Sequence, residues 1–255
     1  LCDLGNEAWQ NANAFPGQIS TLIVPADCAW GDFKGDIPQP LETIKPSAID
    51  HSLISESIEI LKLDGSILFI GGKFLDESCL KLAAEISSAT GCRIVTDTFI
   101  SRIRRGAGLP IIEQVPYFAE MAEEFLKNTA GVVFIGTSVP VSFFAYPDKK
   151  SYLLPTETKI INLCSPNQDG YDALNALSAE SGSSSINQDL IQTSIIDIPT
   201  SGILDTSSFG PLLAGLMPED AIVSDESATS SLFVTSHTLS AKPHDWLALT
   251  GGSIG

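Results

Sequence analysis

The sequence is poor in positive charge. Its 255 residues hold 14 Lys and Arg against 31 Asp and Glu, a formal net charge of −17. So acidic a chain is repelled by phosphate backbones, which argues against nucleic acid as a partner. Long apolar runs are missing: none reaches the roughly 18 residues that span a bilayer as a helix, so no membrane partner is expected. Paired cysteines are missing too. Cys2, Cys28, Cys79, Cys92 and Cys164 are odd in number, scattered and without a CxxC spacing. Cys79, Cys92 and Cys164 lie in apolar patterns and read as reduced structural thiols of a cytoplasmic compartment. His51, His237 and His244 do not cluster with cysteines or acids at metal-ligand spacing, which argues against a protein-built zinc or iron site. No Ser/His/Asp or Cys/His arrangement can be assigned from spacing. An initiating Met is absent: the chain opens at Leu1 within a helical pattern and closes on a glycine-rich turn, and it reads as a piece of a larger protein.

Against these absences stands an ordinary globular composition, 44% hydrophobic and 18% charged. The length allows one large or two modest domains. Residues 1–14 fit the end of a helix, and residues 20–27 (STLIVPAD) a buried strand. Residues 31–47 mix proline, glycine and charge without periodicity and read as a linker. A regular alternation follows. Ile49, Leu53, Ile54, Ile58 and Leu61 make one helix face. Residues 66–71 (SILFIG) form a strand without polar alternation, as expected when both faces are covered. Asp76 caps a helix that ends at Gly91, and residues 93–98 (RIVTDT) are the next strand. Phe118, Met121, Ala122, Phe125 and Leu126 repeat with helical period. Residues 132–136, 159–163 and 194–198 are three further strands, a helix lies between 171 and 180, and 181–185 (SGSSS) is a loop. Strands alternating with helices imply a doubly wound parallel sheet. Past residues 199–208, Phe209, Leu212, Leu213 and Leu216 mark a helix face. A strand, a Ser/Thr-rich turn, a helix and a second strand then open another α/β unit.

Three strand-to-helix turns could present free backbone N–H groups to an anion. Gly71-Gly72-Lys73 lacks both the GxGxxG and the Walker spacing and reads first as a tight turn. The run 227–231 (SATSS) places small hydroxyl residues where a phosphate, or only a helix cap, would be served, with Asp225 and Glu226 as opposing charges. In the run 251–255 (GGSIG), bare backbone could approach a flat ligand. Arg102, Arg104 and Arg105 form a basic cluster that reads as a solvated turn or an anion contact.

In combination and order these pieces resemble the thiamine diphosphate-dependent 2-oxo acid enzymes of the acetolactate synthase and benzoylformate decarboxylase superfamily. PGQISTLIVPADCAW resembles the last strand of that family's pyrimidine-binding domain. SILFIGGKFL, TDTFISRIRRGAGLP, VPYFAEMAEEFL, VFIGTSVPVSFFAYP and KIINL resemble its central domain. MPEDAIVSDESATSS and WLALTGGSIG resemble the start of its diphosphate-binding domain. The resemblance implies residues 1–30 as a pyrimidine-domain remnant, 31–47 as linker and 48–200 as the central domain. Residues 201–255 are then the first part of the diphosphate-binding domain. It implies a six-stranded central sheet, of which five strands are visible, flanked by pieces of two further α/β domains.

The same resemblance implies the site. Ala228 and Thr229 contact the cofactor's diphosphate, Gly252 lies against its aminopyrimidine, Ser253 belongs to the same run, and Ile254 holds its rings bent. The catalytic glutamate is expected upstream of Leu1 and the magnesium loop beyond Gly255, so no catalytic or metal residue is assigned and the 255 residues alone are expected to be inert. Ala145 falls where benzoylformate decarboxylases carry a catalytic histidine, which favours an acetolactate synthase-like carboligase or another 2-oxo acid decarboxylase. The implied cofactors are thiamine diphosphate and Mg2+. FAD is an option of the family, but its pattern is not found between Thr98 and Gly136. The implied substrate is a small 2-oxo acid and the implied assembly a homodimer or homotetramer. The rival reading is a non-catalytic α/β module that binds a nucleotide or CoA at the Gly71 turn. A degenerate, purely structural homologue is a third reading.

Overall fold

The computed structural model describes residues 1–32, 35–145, 147, 150–182, 185–227 and 231–250. The chain starts with helix α1 (Cys2–Asn13), followed by a coil and the short helix α2 (Ala26–Trp30). The stretch expected to be a buried strand at residues 20–27 is not one. No strand pairs with it among the described residues, and Ile23 is 85% exposed. Apolar side chains favour an extended backbone, but only a neighbouring ladder turns it into a strand. The linker instead runs along α1. Asn6 Nδ2 donates to Gln39 O (2.6 Å) and Gln10 Nε2 to Glu42 O (2.8 Å).

The centre is a five-stranded, wholly parallel sheet of β1 (Ile67–Ile70), β2 (Arg93–Thr96), β4 (Glu113–Gln114), β5 (Gly131–Ile135) and β6 (Lys159–Cys164), in the order β4-β2-β1-β5-β6. Ile67 pairs with Val132 in parallel, as the uniformly apolar strands lead one to expect. Successive residues of a strand face opposite sides. Leu68, Ile70, Val133 and Ile135 therefore pack with α3 (Ile54–Leu61), α4 (Glu77–Thr90) and α6 (Gly170–Ser181). Ile67, Phe69, Val132 and Phe134 pack beneath α5 (Ala119–Leu126). The rings of Phe69 and Phe134 meet at 5.2 Å. The sheet is thus covered on both faces, as a doubly wound fold requires.

Local signals set the helix ends. The Asp76 carboxylate accepts from Ser78 N (2.8 Å) and Cys79 N (3.1 Å), satisfying amides that have no partner inside α4. Gly91 closes the same helix at φ 80°. Cys79, Cys92 and Cys164 are buried in the core and unpaired. Burial pushes the Cys79 thiol up to about 12 and those of Cys92 and Cys164 up to about 11, so all three stay protonated.

Two strand expectations need correction. Among the described residues the sheet has five strands, not the six expected. Residues 194–198 are extended but unpaired among the described residues, and Ile196 and Ile198 serve α7 (Thr206–Leu216). A Cβ at Gly215 would lie 2.3 Å from Ile198 Cδ1, and Ile196 packs with Ala214 and Met217. The other edge is taken by β4, two residues too short to show a period. It is held by Arg93, which donates to Glu113 from Nε (2.8 Å) and Nη2 (2.7 Å).

A second sheet has the order β3-β8-β7, from β3 (Ile103–Arg105), β7 (Ile222–Asp225) and β8 (His244–Ala248). β3 is antiparallel to β8, and β8 is parallel to β7. A strand from the middle of the chain therefore anchors the last α/β unit, whose helix is α8 (Ser231–Thr238). No helix among the described residues is long and apolar enough to cross a membrane.

Candidate functional site

The last unit brings two loop starts together. In the β7–β8 pair Asp225 lies opposite Ala248. The chain therefore leaves both strands at the same carboxyl edge, one strand spacing of about 4.8 Å apart. One exit leads to 226–230 and α8, the other to Leu249, Thr250 and the glycine run. Ala228, Thr229, Gly252, Ser253 and Ile254 themselves lie outside the described residues. What the structure provides is their frame, in which the two segments named by the motif resemblance start side by side. A strand running into a helix directs unpaired N–H groups and the positive end of the helix dipole to this edge. One of the two flanking acids is already engaged. Asp225 Oδ1 accepts from Ser227 N (2.9 Å) and Ser227 Oγ (2.7 Å), which turns the carboxylate into its own loop. By sequence this turn carries small hydroxyl residues of the kind that suit a diphosphate, with Asp225 tied back and Glu226 exposed beside them as an opposing charge. Among the described residues no three metal-ligating side chains converge.

Of the arginine cluster only Arg102 is solvated, and all three side chains are engaged within the chain. The cluster ties β3 to the last unit. Arg102 forks onto Asp245 (Nη2 to Oδ2 2.9 Å), and Arg104 reaches Asp220 (2.5 Å). Arg105 is buried with its guanidinium 3.8 Å from the centre of the Trp246 ring. Its Nη2 donates to Thr238 Oγ1 (2.6 Å) and its Nε to His244 Nε2 (3.2 Å). His244 Nδ1 lies 2.8 Å from Lys242 O, which can only accept, so Nδ1 carries the proton and Nε2 is free to accept. Burial, reinforced by Arg105, holds the His244 pKa below its ordinary value. Burial also pulls Arg105 down to about 9, and the Asp225 carboxylate offsets part of that cost. The guanidinium therefore remains charged at neutral pH, under the strand that leads to the candidate site. Gly106 makes the close approach possible. At φ 134° any Cβ there would lie 2.8 Å from Lys242 O and Pro243 Cα.

The third turn lies in the central sheet, at the carboxyl ends of β1 and β5 where the strand order reverses. Gly71 is buried there, whereas Gly72 is exposed. Thr137 Oγ1 donates to Asp97 Oδ2 (2.7 Å) directly over Gly71, and a Cβ on Gly71 would lie 2.6 Å from that oxygen. Phe74 covers Gly136 and Gly170 in the same way. Burial raises the Asp97 pKa, countered in part by Thr137. A phosphate approaching Gly71 would meet a carboxylate and have to break its hydrogen bond. The carboxylate against Gly71 weighs against a phosphate at this turn.

No family model matches the sequence. The chain is 35% identical over 249 residues to a Mycobacterium tuberculosis (strain ATCC 25618 / H37Rv) protein provisionally named acetolactate synthase large subunit IlvX. That match covers 98% of this chain and 47% of the relative. Among solved structures, a Mycobacterium smegmatis protein provisionally assigned as a thiamin diphosphate-dependent enzyme superposes with a TM-score of 0.69. Its identity is 16%, over 99% of this chain and 52% of that one. The benzoylformate decarboxylase of Polynucleobacter necessarius gives a TM-score of 0.64 at 13% identity, over 98% of this chain and 50% of that one. The chain spans about half the length of these relatives. Over nearly all of its length it shares the fold of thiamine diphosphate-dependent enzymes and is homologous to a protein named for acetolactate synthase, as its motifs indicated.

Proposed function

We propose that this chain is the central portion of a thiamine diphosphate- and magnesium-dependent enzyme that decarboxylates or carboligates a 2-oxo acid, in the manner of acetolactate synthase. The observation that carries the reading is the parallel β7–β8 pair, which starts the diphosphate turn and the glycine lip from one edge. The cofactor, when bound, supplies the carbanion chemistry that releases carbon dioxide. The chain's own residues bind and orient it. Ala228 and Thr229 offer amides, and a hydroxyl, to the diphosphate. Gly252 and Ser253 offer flat backbone to the aminopyrimidine, and Ile254 supports the bend between the rings. Arg105 and its partners hold β8, and hence the glycine lip, in register.

In this reading residues 1–30 are a piece of the pyrimidine-binding domain, 31–47 the linker, 48–200 the central domain and 201–255 the start of the diphosphate-binding domain. The full polypeptide works as a homodimer or homotetramer. On this reading the 255 residues by themselves turn over no 2-oxo acid. The rival nucleotide- or CoA-binding module is disfavoured by the covered Gly71 backbone. The test is carbon dioxide release from pyruvate and from phenylglyoxylate by the full polypeptide. Release that needs both thiamine diphosphate and magnesium supports the reading, and none with either substrate at saturating cofactor contradicts it.

A further inference from the structure

A small cavity of about 60 Å³ lies between the two sheets. Its polar lining is Thr96 from β2, Arg105 from β3, Gln114 from β4 and Gln192. The other residues around it are aliphatic or glycine, so Arg105 supplies the one formal charge on its walls.

That charge has no counter-ion. Arg105 is 7% exposed. Its Nε and Nη2 donate to neutral acceptors, His244 Nε2 and Thr238 Oγ1, and the Trp246 ring lies against the guanidinium. Nη1 donates to no described residue, and no described carboxylate comes within 4 Å of the group, whereas Arg102 and Arg104 each pair with an aspartate. Asp225 acts on it only from a distance and is turned back into its own loop by Ser227. A buried cation without a partner is costly. An independent observation concerns the same cavity. Thr96 is 1% exposed, and its hydroxyl has no hydrogen-bond partner among the described residues. Buried polar groups left without partners are uncommon, and here an unpaired cation and an unpaired hydroxyl stand on the walls of one space.

The space selects the occupant. About 10–15 Å³ holds one water, so the cavity admits a few waters or one small ion and is far too small for a nucleotide. A single cation balances a single negative charge. A divalent anion would bring in a second buried charge with no partner. Aliphatic walls cannot replace the water shell of a strongly hydrated ion such as phosphate, and they suit a weakly hydrated one.

We propose that this cavity is a binding site for one monovalent anion of halide size, held by the Arg105 guanidinium and the Thr96 hydroxyl. Charge-assisted hydrogen bonds from both groups hold it. The anion links β2 of the central sheet to β3, and through the Arg105 contacts to β8. The unfolded chain has no such cavity, so the ion stabilises the folded junction by mass action.

The test uses bromide and chloride on the full polypeptide. In crystals grown in sodium bromide, an anomalous peak is expected in the cavity beside Arg105. In solution, the thermal midpoint in sodium chloride is compared with that in sodium gluconate at equal ionic strength, which holds screening constant. Gluconate is too large for the cavity. Chloride should raise the midpoint saturably, by at least about 2 °C. The gain should vanish in Arg105→Gln, shrink in Thr96→Val and persist in Arg102→Gln, whose native side chain is 67% exposed. If Arg105→Gln does not fold, the bromide map and Thr96→Val decide. The proposal is overturned if bromide crystals show only water in the cavity, or if the midpoints in chloride and gluconate are equal. A bromide peak without a chloride-dependent midpoint is binding at crystal concentration only and overturns it as well. So does a gain that Thr96→Val and Arg105→Gln leave unaltered, which is a general surface effect. Neither arm reads turnover, so the result stands apart from that of the proposed function.

Discussion

Residues 67–70 (Ile-Leu-Phe-Ile) and residues 22–24 (Leu-Ile-Val) are alike in composition and opposite in fate. The first four are fully buried, whereas Leu22, Ile23 and Val24 are 38%, 85% and 40% exposed. β1 has β2 and β5 at its two edges and helices over both faces. Residues 22–24 have no ladder partner among the described residues. An apolar β-branched run marks where a strand can form, and the neighbouring backbone decides whether it does. Residues 194–198 repeat the lesson, since Ile196 and Ile198 pack on α7 and Ile195 stays exposed, with no sheet pairing among the described residues.

The largest effect should come from deleting bulk in the paired region and not in the unpaired one. Phe134→Ala should cost about 3–5 kcal/mol, because Phe134 is fully buried against Phe69. Ile23→Ala should stay within about 0.5 kcal/mol. Urea unfolding of both variants checks the contrast, and equal losses would break it.

Next in size is the buried polar junction. Arg105→Ala leaves Thr238 and His244 without their donor and Trp246 without its cation. A cost of about 1–3 kcal/mol is expected. Arg102→Ala removes an ion pair whose arginine is 67% exposed, and should cost at most about 1 kcal/mol. A thermal denaturation in which Arg102→Ala is the worse variant would contradict the assignment. Asp76→Ala removes two accepted amide bonds at the start of α4 and should cost about 1 kcal/mol, read by the same denaturation.

The smallest effect is a pH dependence. His244 holds its proton less readily folded than unfolded. Its contribution to stability is therefore complete above the ordinary histidine value of about 6.5 and is lost as pH falls from there through the lowered folded value. Asp97 has the opposite sign. Its raised pKa gives stability that is present at acid pH and lost as pH rises from the ordinary 3.8 through the folded value. Melting temperatures across the acid range should fall less steeply in His244→Gln than in wild type. A parallel fall would remove His244 as the cause.

The central sheet was legible because its signals are local. Apolar tetrads, the Asp76 cap and the Gly91 stop each lie within one element. The junction was not, because Arg105 and His244 lie 139 residues apart in sequence and a cluster of three arginines looks like surface until a tryptophan is found under one of them. The stripe of α5 is only partly inward: Phe118 and Met121 turn to solvent. The period of α5 is helical, but Ala119, Ala122 and Leu126 fill the space under the sheet, Phe125 is half-buried against them, and Phe118 turns outward. For the cofactor site, the strand ends are placed by pairing, while the residues proposed to contact the ligand lie outside the described residues and rest on the motif resemblance.

The central claim is that the edge shared by β7 and β8 holds the cofactor's diphosphate. Its most direct test is the dissociation constant of thiamine diphosphate, measured by isothermal titration on the full polypeptide at saturating magnesium. Thr229→Asp places a negative charge where a hydroxyl and an amide are proposed to meet phosphate. The account expects a rise of at least about tenfold, since ~1.4 kcal/mol suffices. Ser236→Asp, on the exposed side of α8, should leave the constant unchanged. Equal affinity in Thr229→Asp and the unaltered protein would contradict the account and remove this edge from the site.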